Sequence, residues 1–212
     1  MSRPNYLNEI KARIQASDKG SVFVATDFAD ITDVAKVGVC LSRLEAEGLI
    51  RRVMRGVYDY PEYNRLLDEY VAPSADKVAH AIARNFGWTI VPCGDTVLNI
   101  LELSIQVPTI WLYVSDGTYK EYSFDNTTIK FKRTTNKDIS GMSYKTALII
   151  QALKALGKEH IDGGVLDKLS RKLSAKEKKQ MTAEAKSATS WVYEIHQEAL
   201  RGKRRRQKIG KR

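Results

Sequence analysis

Apolar residues near the start of the chain recur at the spacing of a helix face. A first helix is predicted over residues 5–16, where the apolar stripe consists of Tyr6, Leu7, Ile10 and Ile14. A run over 22–25 is rich in β-branched and aromatic residues, which predicts a short strand. Thr26 and Asp27 then predict the capped start of a short second helix over 27–31.

A third helix is predicted from Asp33, a good N-cap residue, to residue 47, where Gly48 ends it. Its two faces differ, because successive side chains are rotated by about 100° around a helix axis. The residues expected on the inner face are Val34, Val37, Leu41 and Leu44. The residues expected to point outward are Lys36, Val39, Ser42 and Arg43. The helix is therefore amphipathic, and its outer face carries two cations.

A two-stranded hairpin is predicted next, with strands over 49–54 and 57–60 joined by a turn at Arg55 and Gly56. Glycine readily adopts the positive φ that a short hairpin turn requires. The side chains that this arrangement places on or beside the hairpin are Arg51, Arg52, Arg55, Tyr58 and Tyr60.

Beyond Pro61 the pattern predicts a connecting helix over 62–71 and a further helix over 74–86, which Ser74 caps. The residues expected to face inward from that further helix are Val78, Ala79, Ile82 and Phe86. Four strands are then predicted, at 88–91, 109–114, 121–124 and 128–133. Helices are predicted at 95–102, 144–156, 164–173, 175–185 and 190–200. This mixture of elements predicts an α+β fold.

Positive charge is concentrated at the end of the chain. The 212 residues carry a net charge of +10, and residues 201–212 hold eight basic residues and no acidic one, so the rest of the chain carries only +2. Such a stretch predicts a disordered tail that attracts any polyanion without reading its sequence. The tail residues expected to contact nucleic acid in this way are Arg201, Lys203, Arg204, Arg205, Arg206 and Lys208.

Location and redox chemistry follow from what the chain lacks. No apolar run approaches the roughly 18 residues needed to span a bilayer, and residues 1–8 lack the plan of a secretory signal. We therefore expect a cytoplasmic protein that does not enter a membrane. Cys40 and Cys93 are too few and too far apart for a disulfide framework or a zinc site, so we expect ordinary core or surface residues.

Enzymatic chemistry is the least supported interpretation. Asp116, Glu121 and Asp125 lie among the predicted central strands, where a metal-dependent nuclease would hold its acids. That chemistry needs a lysine two residues beyond the second acid, and Tyr122 and Ser123 follow Glu121 instead. No glycine-rich phosphate loop follows a strand, and the histidines are far apart. We expect no catalytic residue, cofactor or metal.

The order of elements at the start of the chain is typical of a winged helix-turn-helix. A helix fits the major groove of B-DNA, where base edges present distinct donors and acceptors. Arg43 on the third helix is best placed for bidentate contact with guanine, and the hairpin arginines would hold phosphates. The predicted DNA-binding residues are Lys36, Ser42, Arg43, Arg51, Arg52, Arg55 and Tyr58.

Four regions are therefore predicted along the chain. They are a winged helix-turn-helix over 1–60, a connecting helix over 61–73, a second α+β domain with a helical C-terminal end over 74–200, and the basic tail over 201–212.

Two groups of residues carry a family resemblance. The first consists of GSVF at 20–23, LSRL at 41–44, GLIRR at 48–52 and RGVY at 55–58. The second consists of Pro92-Cys93-Gly94, Leu98-Asn99 and LSIQVP at 103–108, with Glu102 where the pattern has glycine. From residue 5 to about residue 200, the chain resembles the AbiEi-type antitoxins and transcriptional regulators of bacterial type IV toxin–antitoxin, or abortive-infection, systems.

The resemblance implies a function in two parts. The N-terminal domain would bind inverted repeats in its own promoter as an autorepressor, as a monomer or weak dimer that pairs on DNA. The remainder would oppose a nucleotidyltransferase-like toxin without forming a stable complex. Two alternatives stay open: an RNA- or ribosome-binding protein that uses the basic tail, and a non-enzymatic protein-interaction module.

Overall fold

A computed structural model describes residues 5–134, 139 and 141–184, and it contains both helices and strands. The α+β class predicted from the sequence is therefore confirmed. The described chain divides into two units. The first runs to Trp88 and includes Ser123–Thr127, and the second contains Thr89–Tyr122 and the residues from Thr128 onward. The helix predicted over 190–200 lies outside the described residues.

The helices of the first unit begin where the sequence places capping residues. Helices α1, α2 and α3 lie at Tyr6–Gln15, Val34–Ala46 and Ala75–Phe86. Asn5, Asp33 and Ser74 each accept a hydrogen bond from the backbone N–H three residues later. These bonds satisfy N–H groups that a helix leaves free at its start, so the boundaries follow from local chemistry. Strands β1 to β5 lie at Val22–Val24, Arg51–Met54, Val57–Asp59, Tyr63–Asn64 and Glu69–Tyr70.

The core of the first unit forms where α1 and α2 pack together. The side chains of Ile10 and Ile14 on α1 and of Leu41 and Leu44 on α2 are fully buried. Val34 was predicted to face this core, but it is 46% exposed, so that prediction was wrong. The buried stripe of α2 is rotated toward Cys40, which is buried instead.

The three-stranded sheet of the first unit has the order β1-β3-β2, with both pairs antiparallel. Gly56, with a φ of 79°, makes the tight turn between β2 and β3, as predicted. All three residues of β3 are buried, because this strand is the central one. Asp59 at its end pairs in register with Val22 of β1 and Arg51 of β2.

The predicted second helix over 27–31 is wrong, because a 3-10 helix at Ala25–Phe28 takes its place. The carboxylate of Asp27 accepts a hydrogen bond from the Val24 N–H at 2.9 Å, and its two oxygens also accept from Arg84. Asp27 thus closes a tight turn instead of starting an α-helix. Thr26 does not act as a cap, since its buried hydroxyl has no hydrogen-bond partner among the described residues.

The connecting helix predicted over 62–71 is also wrong, because this segment forms a hairpin of β4 and β5. Tyr63 pairs with Tyr70 across the strands, and their rings meet edge to face at 5.2 Å. The side chain of Asn64 accepts hydrogen bonds from the backbone N–H groups of Leu66 and Leu67, which closes the turn locally. Asparagine favours such turns over helix interiors for this reason.

Helix α3 belongs to the first unit, where it packs on β1, although it was predicted to start the second domain. Arg84 donates to both carboxylate oxygens of Asp27, at 2.8 and 3.0 Å, and to the Val22 carbonyl. The Lys77 ammonium donates to the Gly20 carbonyl at 2.9 Å. These contacts join residues that are far apart in the sequence, so helix periodicity does not predict them. Phe86, predicted to face inward, is 42% exposed and stacks on Trp88.

The second unit combines a four-stranded sheet with helices. Strands β6 to β9 lie at Ile90–Pro92, Ile110–Ser115, Lys120–Phe124 and Thr127–Arg133, and the sheet has the order β6-β7-β9-β8. Helices α4 to α7 lie at Asp95–Ile100, Tyr144–Leu156, Gly163–Arg171 and Ala175–Glu184, with a 3-10 helix at Lys158–His160. Strands β6 and β7 are antiparallel, and β7 and β9 are parallel. Helix α5 supplies much of the core, including fully buried Ile150 and Leu153.

Glu102 stands in the left-handed region of backbone conformation, with a φ of 57°. Glycine adopts this conformation without strain, whereas other residues lose about 1–2 kcal/mol there. The position where the antitoxin pattern has glycine is therefore one where the backbone favours glycine. Nearby, the Asn99 amide donates to the Gln106 carbonyl at 2.9 Å, which ties the two ends of the following loop.

Replacing Glu102 with glycine should stabilise the protein. We expect Glu102→Gly to raise the free energy of unfolding by about 0.5–1 kcal/mol, since relief of strain exceeds the added flexibility of the unfolded chain. The ion pair of Glu102 with Lys172 is exposed, so its loss costs little. Urea unfolding measures the change. Gln106 does not have a left-handed φ, so Gln106→Gly should instead lower the free energy of unfolding. An increase in this free energy from both variants would contradict the strain argument.

Candidate nucleic-acid interface

Helix α2 exposes the polar face that the sequence predicts. Lys36, Val39, Ser42 and Arg43 are all exposed, while Val37 on the opposite side is fully buried. The Asp33 cap fixes the start of this helix, and burial of its inner stripe fixes its rotation. The four outward residues are therefore held on one rigid element.

The side chains of Arg43 and Lys36 differ in whether they already have a partner within the protein. The Arg43 side chain makes no hydrogen bond or ion pair with any residue that the structure describes. Lys36 pairs with Asp33 at 2.7 Å, and the hydrogen bond to Asp33 raises the pKa of its ammonium group. Lys36 is exposed and so remains charged and able to exchange this carboxylate for another anion. A ligand can therefore bind the Arg43 side chain without displacing a partner among the described residues.

Arg55 occupies the tight turn between β2 and β3. It is exposed, and within the described part of the chain it has no hydrogen-bond or ion-pair partner. A cation at the tip of a two-stranded hairpin can contact a phosphate without a change in backbone conformation.

Arg51 was predicted to contact DNA, but its guanidinium is engaged inside the protein. Its Nε donates to one carboxylate oxygen of Asp59 at 3.0 Å, and its Nη2 donates to the other oxygen and to the Val71 carbonyl, the latter at 2.9 Å. Asp59 is 1% exposed, and the hydrogen bonds to it raise the pKa of Arg51. The structure therefore pairs Arg51 with a buried carboxylate, and its predicted contact with DNA would have to be made from within this ion pair.

Tyr58 was also predicted to contact DNA, but it is 5% exposed and belongs to the core of the first unit. Arg52 lies above its ring, donates to its hydroxyl at 3.2 Å and pairs with Glu45 at 2.7 Å. The interaction with Tyr58 raises the pKa of Arg52. Tyr58 thus holds Arg52 in position on the surface instead of presenting its own ring.

Sequence reasoning missed Asp59 as the partner of Arg51, because the register of the hairpin is irregular. Residues equally spaced from a two-residue turn at Arg55-Gly56 face each other, which would place Arg52 opposite Asp59. The register shifts between Arg52 and Met54, so Arg51 pairs with Asp59 instead, and counting from the turn does not reveal this shift. The predicted tail contacts, from Arg201 to Lys208, lie outside the described residues.

Other kinds of site find little support among the described residues. No group of three or more His, Cys, Asp or Glu side chains there could hold a metal ion. Cys40 and Cys93 are both buried, as expected of core residues, and burial raises the pKa of Cys93 to about 11. Glu121, considered for a nuclease, pairs with Lys130 at 3.0 Å.

None of the helices in the described ranges combines the length and the apolar character that crossing a bilayer requires.

Comparison with known proteins gives a family without a known function. Residues 9–181 match the model of a family described as "Family of unknown function (DUF6088)". No curated protein matches the chain.

Proposed function

The chain belongs to the DUF6088 family, and we propose that its first unit is a winged helix-turn-helix that binds double-stranded DNA in a sequence-specific manner and represses its own promoter. The order of elements supports this: two helices and a 3-10 turn precede an antiparallel hairpin that is joined to β1 in a three-stranded sheet. Helix α2 occupies the place of the recognition helix in that arrangement.

The single observation that carries the proposal is the exposed face of α2. Arg43 is the strongest candidate for bidentate contact with the O6 and N7 atoms of guanine, because it is exposed and uncommitted among the described residues. Val39 is 55% exposed beside it and suits contact with a thymine methyl group. Ser42 adds a hydroxyl that both donates and accepts.

Phosphate contacts would come from the cations that flank this face. Lys36 lies at the start of α2, Arg52 on β2 and Arg55 at the turn between β2 and β3. Contacts of this kind fix the register of a protein on DNA without reading bases. One such unit makes few base contacts, so tight binding needs two copies on an inverted repeat.

The antitoxin role extends this proposal through the AbiEi resemblance. We propose that the protein acts in the cytoplasm, where its second unit opposes a nucleotidyltransferase-like toxin without a stable complex. Co-expression with a nucleotidyltransferase encoded beside it tests this role. The full chain should restore growth to cells that express the toxin. A chain in which residues 89–212 are replaced by an unrelated domain should fail to restore growth, which would assign the effect to the second unit. Equal growth with both chains would remove the role.

Arg43→Ala tests the DNA-binding proposal. We expect a loss of about 1–3 kcal/mol on a duplex of the chain's own upstream region, with weaker preference at one or two base pairs. Arg55→Ala should weaken binding to all sequences alike and reduce the salt dependence by about one phosphate contact. Fluorescence anisotropy across a salt series, on the upstream duplex and a scrambled one, measures both effects.

Arg171→Ala is the matched control, because Arg171 is an exposed arginine on α6 of the second unit. It removes the same charge and should leave sequence preference unchanged. If Arg43→Ala weakens binding to both duplexes equally, Arg43 does not read bases. If the unaltered chain shows no preference at about 0.2 M salt, sequence-specific recognition is excluded.

A further inference from the structure

The hairpin formed by β4 and β5 exposes an unusual amount of apolar surface. Leu66 is 95% exposed, Leu67 65%, Tyr70 59% and Tyr63 45%. Single exposed apolar residues are normal on a protein surface, but a contiguous group of large ones marks an interaction site. These four side chains lie within eight consecutive residues.

The tip of this hairpin has a fixed shape. The Asn64 side chain accepts hydrogen bonds from the Leu66 and Leu67 N–H groups, at 2.9 and 3.3 Å. The Tyr63 hydroxyl donates to the Asp68 carboxylate, and the Tyr63 and Tyr70 rings are in contact. The leucines are therefore presented on an ordered turn, which lowers the entropic cost of burying them in a complex.

Charge limits how a second copy could bind this hairpin. Residues 62–71 contain three acidic residues and one basic residue, so two copies fit together only where Arg65 of each meets an acidic side chain of the other. The side chains of Glu62, Arg65 and Glu69 are all exposed, and none of the three has an ion pair or hydrogen bond to a residue in the described part of the chain. Arg65 and Glu69 lie four residues apart, so a second copy turned by 180° can place Arg65 of each opposite Glu69 of the other.

We propose that this hairpin is a homodimer interface, in which two copies of the chain pack hairpin against hairpin about a twofold axis. Arg65 of each copy faces Glu69 of the other, and the leucines and tyrosines pack between them. The inference rests on the proposed function for its purpose, since it supplies the twofold symmetry that an inverted repeat requires. The interface itself stands on the hairpin alone.

Sedimentation of the full chain without DNA tests the interface. We expect a monomer–dimer equilibrium, and Leu66→Asp should raise the dissociation constant at least about tenfold by burying a charge in the apolar contact. Ile105→Asp is the matched control, because Ile105 is 100% exposed in the second unit. It introduces the same charge and should leave the equilibrium unchanged. Both positions are exposed, and circular dichroism verifies that the variants are folded.

A charge exchange tests the geometry. Arg65→Glu and Glu69→Arg should each weaken the dimer, because each places like charges opposite one another. The double variant Arg65→Glu with Glu69→Arg should restore it. Restoration supports the twofold arrangement, and a double variant as weak as the single ones overturns it.

The remaining outcomes separate this inference from the proposed function. A chain that stays monomeric at all concentrations overturns the interface, even if it binds one half-site with sequence preference. A dimer that Leu66→Asp leaves intact overturns it as well, because the copies then associate elsewhere. A dimer that Leu66→Asp breaks, in a chain without DNA preference, supports the interface and removes the proposed function.

Discussion

Arg51→Ala should lower the free energy of unfolding by about 3 kcal/mol, because it leaves the buried carboxylate of Asp59 without its counter-charge. Asp59 is 1% exposed and accepts two hydrogen bonds from Arg51. The same guanidinium also holds the Val71 carbonyl at the base of the β4–β5 hairpin. Urea unfolding of the full chain measures the loss.

Two further variants determine the cause. Arg52→Ala removes the neighbouring arginine, whose partners are the half-buried Glu45 and the Tyr58 hydroxyl, and should cost less, about 1 kcal/mol, because it leaves no fully buried charge unpaired. Arg51→Met combined with Asp59→Leu removes both charges and should recover most of the stability, since no buried charge is left unpaired. A double variant as unstable as Arg51→Ala would show that packing, and not the unpaired carboxylate, causes the loss.

Phe28→Ala should have the largest effect on stability, a loss of about 3–5 kcal/mol. Phe28 ends the 3-10 helix that leads toward α2, it is fully buried, and its ring lies 5.7 Å from that of Phe23. Its removal leaves a cavity at the junction of α1, β1 and α2. Because α2 carries the proposed reading face, specific DNA binding should fall with the folded fraction.

Phe86→Ala is the matched control for that change. Phe86 is 42% exposed at the end of α3, so the same truncation should cost far less, about 1 kcal/mol. Chemical denaturation followed by circular dichroism compares the two variants. Equal losses would mean that Phe28 does not anchor the junction, contrary to its burial.

The sequence predicted those elements that local chemistry determines. Asp33, Ser74 and Ser143 each cap a helix by accepting a backbone hydrogen bond, and these helices begin where predicted. Gly56 determines the tight turn in the same local way. The hairpin at 62–71 was mistaken for a helix, because its apolar residues also fit a helical spacing and the contact of Tyr63 with Tyr70 depends on pairing across strands.

The same contrast between local and long-range determinants applies to the residues of the candidate site. The exposure of Arg43 follows from helix periodicity, and that of Arg55 follows from its place in a turn. The burial of Tyr58 depends on β3 being the central strand, with partners on both sides, which strand alternation alone does not reveal. The role of Arg51 depends on a carboxylate eight residues away.

The pairing of cations within the first unit bears on how fast the protein would find DNA. Residues 5–88 contain 11 basic and 12 acidic residues, and Arg13, Arg51 and Arg84 each lie against an aspartate. The opposite charges of each close pair largely cancel, and salt screens the remaining field beyond a Debye length, about 8–10 Å at physiological salt. Encounter with DNA would then proceed at the unsteered rate of about 10⁵–10⁶ M⁻¹s⁻¹ unless residues 201–212 draw the two together. The folded unit and the end of the chain would thus control different rate constants: one sets how long the protein stays bound, and the other how often it arrives.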